Sequence, residues 1–179
     1  EGMWTVLPIK NRSAVYVTTA GILVSLGLAL HYAESLVPFL QILPGGKLGL
    51  ANITVMLAFS CFGTGFALTV GLVRCFLTAL IGGNLTMFLY GGVGTAASVL
   101  AMHTCRWLFP KAVSTVGRSM LGAFFFNVGQ ISVCALVLLS GYIFSYLPIL
   151  TLFAAICGLL TGIATQKTEK AIRLMGETK

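Results

Sequence analysis

Long apolar runs broken by Gly, Pro and isolated charges set the pattern of this chain. Read against helix periodicity and breaker residues, they predict six helical segments, at about 14–33, 48–62, 65–81, 86–108, 117–139 and 147–165. A helix needs about 20 mostly apolar residues to cross the roughly 30 Å hydrocarbon layer. The second and third segments are shorter than that. Their breaks, Phe62-Gly63-Thr64-Gly65 and Gly82-Gly83-Asn84, predict tilted or partly re-entrant pieces. Residues 166–179 read as a solvated cytoplasmic extension of the last helix.

Composition turns this pattern into a class. Of 179 residues, 58% are hydrophobic and 8% charged, where a soluble domain carries about 25% charged residues; the mean hydropathy is +0.99. The expectation is an all-α integral membrane protein, one membrane domain over residues 1–179 with six transmembrane helices in a bundle. So little chain outside the spans leaves no room for a large catalytic domain, and no enzyme activity is expected. The first apolar run lacks an early small-residue cleavage site and reads as a retained span. There is no Asp in the sequence, which excludes chemistry built on Asp-held magnesium diphosphate. The cysteines, Cys61, Cys75, Cys105, Cys134 and Cys157, lie about one to a segment without metal or dithiol spacing, and read as small apolar fillers. Neither a metal nor a cofactor is expected.

The net charge of +7 follows topology rather than nucleic acid. With six crossings, the termini and the loops after the second and fourth spans share one side. That side collects Lys10, Arg12, Arg106, Lys111, Arg118, Lys167, Lys170, Arg173 and Lys179, and the opposite side holds Lys47. Basic residues in short loops stay cytoplasmic, so both termini are expected inside.

Arg74 falls inside the third span. A charge at that depth costs about 2.5–3.5 kcal/mol on insertion scales and normally faces the bundle interior. Asn127 and Gln130, three apart on the fifth helix, lie at a matching depth, so a guanidinium and two carboxamides can line one cavity. A second group lies on the outer side. His31 and Glu34 end the first helix, and Pro44-Gly45-Gly46-Lys47 leads into the second, where unpaired N–H groups make an anion seat. Asn52 follows on that helix, and Asn84 can cap the fourth helix or reach the cavity. Lys47 and Arg74 set against Glu34 leave one spare positive charge, which predicts a small acidic ligand. The alternative is structural: Arg74 and Glu34 pair with each other, and Asn127 and Gln130 join helices. Tyr90, Tyr142 and Tyr146 near the outer ends can stack on a ring or mark the interface.

On the first helix Gly21, Ser25, Ala29 and Ala33 recur every four residues. Such a strip lets another helix approach closely in lipid. Spacing leaves open whether that helix belongs to this chain or to another protein.

The run Pro44-Gly45-Gly46-Lys47-Leu48-Gly49-Leu50-Ala51-Asn52-Ile53, the intramembrane Arg74, and Gly122-Ala123 followed by Asn127-Val128-Gly129-Gln130 resemble the heptaprenyl diphosphate synthase component I family, also called Gx transporter, over about residues 14–165. That family groups with the S components of energy-coupling factor (ECF) transporters, six-helix substrate-binding subunits of prokaryotic plasma membranes. The resemblance implies import of a small metabolite or vitamin-like compound. It also implies that the first outer loop covers the ligand and the helix 1 strip docks on a transmembrane coupling subunit, with two cytoplasmic ATPases supplying energy. The family pattern commonly places a His before the Asn of helix 5, where this chain has Phe126. The family label itself implies the competing role of a non-catalytic membrane subunit assisting a prenyl diphosphate synthase.

Overall fold

The computed structural model describes residues 12–36, 49–110 and 112–177. Among them are six α-helices: α1 (Arg12–Ser35), α2 (Asn52–Phe62), α3 (Thr64–Ile81), α4 (Leu85–Leu108), α5 (Thr115–Leu138) and α6 (Leu147–Glu177), with a 3-10 turn at Gly141–Tyr146 ahead of α6. Five of these helices are long and apolar enough to cross a membrane, and the chain is a multi-pass membrane protein. Many large apolar side chains point outward, Val17, Ile22, Leu80, Leu100, Leu136 and Leu152 among them, as a lipid-facing surface requires.

The exception is α2. Its 11 residues span only about 16 Å at 1.5 Å each, so the expectation of six full crossings is corrected to five long helices and one short one. The helix starts later than residue 48 because Gly49, at φ 76°, turns the chain and its carbonyl accepts the Asn52 N–H at 2.9 Å. Between α2 and α3 the chain breaks at Gly63, whose φ of 91° a side chain would oppose. The remaining boundaries lie within two residues of the sequence reading at the helix starts. Helix α6 continues as helix to Glu177, through the stretch read as its extension.

Side-chain caps explain two starts. Asn84 Oδ1 accepts the Thr86 N–H at 2.9 Å to open α4, and Ser114 Oγ accepts the Gly117 N–H at 3.2 Å to open α5.

Contacts at the helix ends fix an alternating arrangement. Tyr16 of α1 stacks on Phe62 and Phe66 at 5.0 and 5.6 Å, Thr64 Oγ1 meets His103 Nδ1 at 2.8 Å, and Thr115 Oγ1 donates to Glu169 at 3.4 Å. The start of α1 and the C-terminal half of α6 therefore share one end with the α2–α3 and α4–α5 connections. Arg106, Arg118, Lys167 and Lys170 sit on helices at that end.

Helix α5 packs between α4 and α6 on backbone-level contacts. A Cβ on Gly129 would lie 2.9 Å from the Gly94 Cα, and one on Gly158 would lie 2.6 Å from the Met120 Cα. Small residues at crossings let dispersion act across lipid-immersed helices, where no hydrophobic force drives association. Ser119 and Thr161 hydroxyls add a 2.7 Å hydrogen bond beside the second crossing. The apolar core divides in two: one cluster joins α1 to α4 through Val55, Phe59, Ala67, Val70, Val99 and Met102. The other holds Ile131, Ile143 and Leu150 at the opposite end.

Gly158→Val is expected to lower the thermal midpoint of detergent-purified protein, since overpacking costs about 1–3 kcal/mol. Gly65→Ala, which meets no atom within 4 Å, should leave it unchanged.

Candidate functional site

Arg74 sits eleven residues into α3, about 15 Å along its axis from Thr64, and is buried at 4% exposure. Its position depends on a missing side chain. A Cβ at Gly27 of α1 would lie 2.7 Å from the Arg74 Cδ and 2.8 Å from the Thr54 Oγ1, so Gly27 is where α1 closes over the guanidinium stem. The head reaches toward α2: Nη2 donates to Asn52 Oδ1 at 3.3 Å and approaches Cys75 Sγ at 3.8 Å. Nη1 is buried and has no hydrogen-bond partner among the described residues. A buried donor without an acceptor costs about 1–3 kcal/mol, more when charged.

Arg74 also lines a cavity of about 230 Å³ between α3, α4, α5 and the start of α6, with His31 of α1 at its edge. Thr78, Asn84, Gln130, Cys75 and Cys134 supply further polar or polarisable surface, and Met87, Phe126, Ile131 and Leu150 supply apolar wall. The volume lies just below the usual range of about 300–1,000 Å³ for small-ligand sites.

Of the residues singled out from sequence, Arg74, Gln130, Asn84, His31 and Tyr90 come together around this space. Asn84 does both jobs open to it, capping α4 while bordering the cavity. Asn52 lies behind the lining as a partner of Arg74. Lys47 and the Pro44-Gly45-Gly46 run fall outside the described residues.

Two expectations change. Asn127 does not line the cavity: its Nδ2 donates to the Leu150 carbonyl at 2.8 Å and ties α5 to α6. Residues three apart on a helix differ by about 60° in direction, enough to turn Asn127 onto α6 while Gln130 faces the cavity. Glu34 likewise lies outside the lining. Its buried carboxylate accepts the Leu50 N–H and closes the α1–α2 connection, whereas the hydrogen bonds of Arg74 among the described residues go to Asn52 and Cys75.

The filler reading holds for buried Cys61, Cys105 and Cys157 and is incomplete for Cys75 and Cys134, which border the cavity. Gly27 was missed because its only sequence signal, a glycine off the small-residue strip, gains meaning once Arg74 is seen beneath it. The strip itself faces outward. Gly21, Ser25, Ala29 and Ala33 are all exposed, Gly21 has no atom within 4 Å of a built Cβ, and Ser25 Oγ donates to the Gly21 carbonyl. Helix α1 packs inward through Leu23, Val24 and Gly27 instead.

These features define a polytopic helical membrane protein with a buried cation beside a partly open cavity. The chain belongs to the family described as heptaprenyl diphosphate synthase component I, which it matches over residues 23–168. Comparison with curated proteins and with solved structures gives no match.

Replacing buried ionic groups by well-packed apolar side chains of similar volume is often neutral or stabilising, by about 1–4 kcal/mol, and Arg74 has one nitrogen unpartnered among the described residues. Arg74→Met should therefore keep or raise the thermal midpoint of ligand-free protein, while Asn127→Leu, which breaks an interhelical bond, should lower it by the equivalent of about 1–3 kcal/mol. A large loss for Arg74→Met would mark the guanidinium as a brace.

Proposed function

We propose that this chain is the substrate-binding membrane subunit, the S component, of an ECF-type ABC importer for a small acidic metabolite or vitamin-like compound. The observation that carries the reading is the buried Arg74, with one nitrogen unpartnered among the described residues, at the edge of a cavity large enough for a small solute. A purely structural arginine in lipid would be saturated by protein acceptors. An importer subunit gains from an unsaturated one, because the ligand completes its hydrogen bonding.

In this reading Gln130, Asn84 and His31 contribute polar contacts. Asn52 orients the guanidinium, and Asn127 and Glu34 hold the walls. Lys47 and the first outer loop, which lie outside the described residues, are assigned to ligand cover by the family resemblance alone. The basic residues of the terminal end support a cytoplasmic position for that end in this reading, which assigns the cavity to the outer half of a prokaryotic plasma membrane. The outward strip of Gly21, Ser25, Ala29 and Ala33 docks on a transmembrane coupling subunit, and two cytoplasmic ATPases energise release inside.

A second reading is favoured by the family's description: a membrane subunit that assists a separate heptaprenyl diphosphate synthase. Chain elongation itself needs magnesium held on Asp-rich motifs, and there is no Asp in these 179 residues, so catalysis would rest with the partner.

Affinity-tagged protein from native membranes should carry the coupling subunit and both ATPases, and Ser25→Leu or Ala29→Leu should abolish that assembly with ligand affinity near wild type. Capture of a soluble prenyl diphosphate synthase in place of the ATPases, with deletion lowering synthase activity and leaving uptake unchanged, selects the second reading.

A further inference from the structure

We infer that the cavity accepts a monocarboxylate whose remaining body is compact and apolar, with the carboxylate bound by Arg74. This rests on the binding-subunit reading and narrows it to a ligand class. Three features of the described lining lead there. First, Arg74 carries the one permanent charge among those residues, and none of them is a carboxylate. Among the described residues its guanidinium is incompletely satisfied, with hydrogen bonds at 3.3 and 3.8 Å from Nη2 and none from Nη1. A planar guanidinium fork matches the two oxygens of a carboxylate and forms its strongest hydrogen bonds with such a group.

Second, much of the remaining lining is apolar. Met87, Phe126, Ile131 and Leu150 supply much of it, and Phe126 is fixed, its ring lying where a Cβ on Gly94 would come within 3.1 Å. A second negative charge on the same ligand, resting on these side chains, would find no counter-charge among the described lining residues other than Arg74, and low-polarity surroundings penalise that heavily. That disfavours dicarboxylates and diphosphates.

Third, the hydroxyl and thiol groups nearby are partly committed. Thr78 Oγ1 donates to the Arg74 carbonyl at 2.9 Å, and Cys75 Sγ lies 3.6 Å from Thr95 Oγ1. These two groups therefore have little spare capacity for a further polar partner. Gln130, Asn84, Tyr90 and His31 add a few polar groups, suited to a small number of further polar atoms beside the carboxylate.

The test uses the detergent-purified full chain and matched probes: benzoate with benzamide, phenylacetate with phenylacetamide, hexanoate with hexanamide, and inorganic phosphate and diphosphate as acids without an apolar body. Binding is read by calorimetry and by the shift in thermal midpoint. At least one monocarboxylate should bind about 10- to 100-fold tighter than its amide, as a charge-assisted bond requires, and should outcompete both inorganic anions. Arg74→Gln should remove that preference and Arg74→Lys should retain part of it. Should Arg74→Gln fail to fold, the acid-to-amide ratio on the wild-type chain decides alone. The assignment is overturned if no acid in the set binds, if an amide binds as well as its acid, or if phosphate or diphosphate binds more tightly than every monocarboxylate. The import reading has a separate fate: a neutral ligand on a chain that still captures ATPases removes only the carboxylate. A carboxylate on a chain that captures none removes only import.

Discussion

A guanidinium held near mid-bilayer is the constraint around which this molecule is organised. Lipid offers no acceptor to Arg74, so the bundle must enclose it, and enclosure sets demands on three neighbouring helices. Helix α1 must present no side chain at residue 27, because the arginine stem occupies that volume. Helix α2 must begin with a residue able to accept, which Asn52 does. The α4 wall must be slim where it meets Cys75, and Gly91 leaves that room. These accommodations make a socket for a cation while leaving part of its hydrogen-bonding capacity unused.

The socket lies where two kinds of packing meet. Helices α4, α5 and α6 are locked by glycine crossings at which backbones touch. In α5, 44% of the apolar window is buried, compared with 17% in α1. Helix α1 is thus the lightly held side of the site. The contacts that seat it include Glu34 on the Leu50 N–H and Gly27 over the Arg74 stem. Its outer face, meanwhile, carries small residues that are exposed among the described residues.

Family membership and the absence of Asp bear on each other. A chain in a family described as a component of a diphosphate synthase presents, among the described residues, one buried cation beside a largely apolar cavity wall.

Much of this was legible in the linear chain. Helix number, most boundaries and the membrane class follow from local apolar runs and their Gly and Asn breaks, because the bilayer requires each span to satisfy its own backbone. The depth of Arg74 follows equally well, since rise per residue is constant along a helix. Rotation about each helix axis was not legible. It depends on which small residues meet across crossings such as Gly94 with Gly129, and it decided that Gln130 faces the cavity while Asn127 holds α6. It also turned Glu34 to the Leu50 backbone, turned the α1 strip outward, and gave Gly27 a purpose visible only with Arg74 in place. Sequence determined which polar groups entered the membrane and how deep, a matter of local hydrophobicity. Tertiary structure alone decided which of them were spent on the scaffold, because that depends on contacts between residues far apart in the chain.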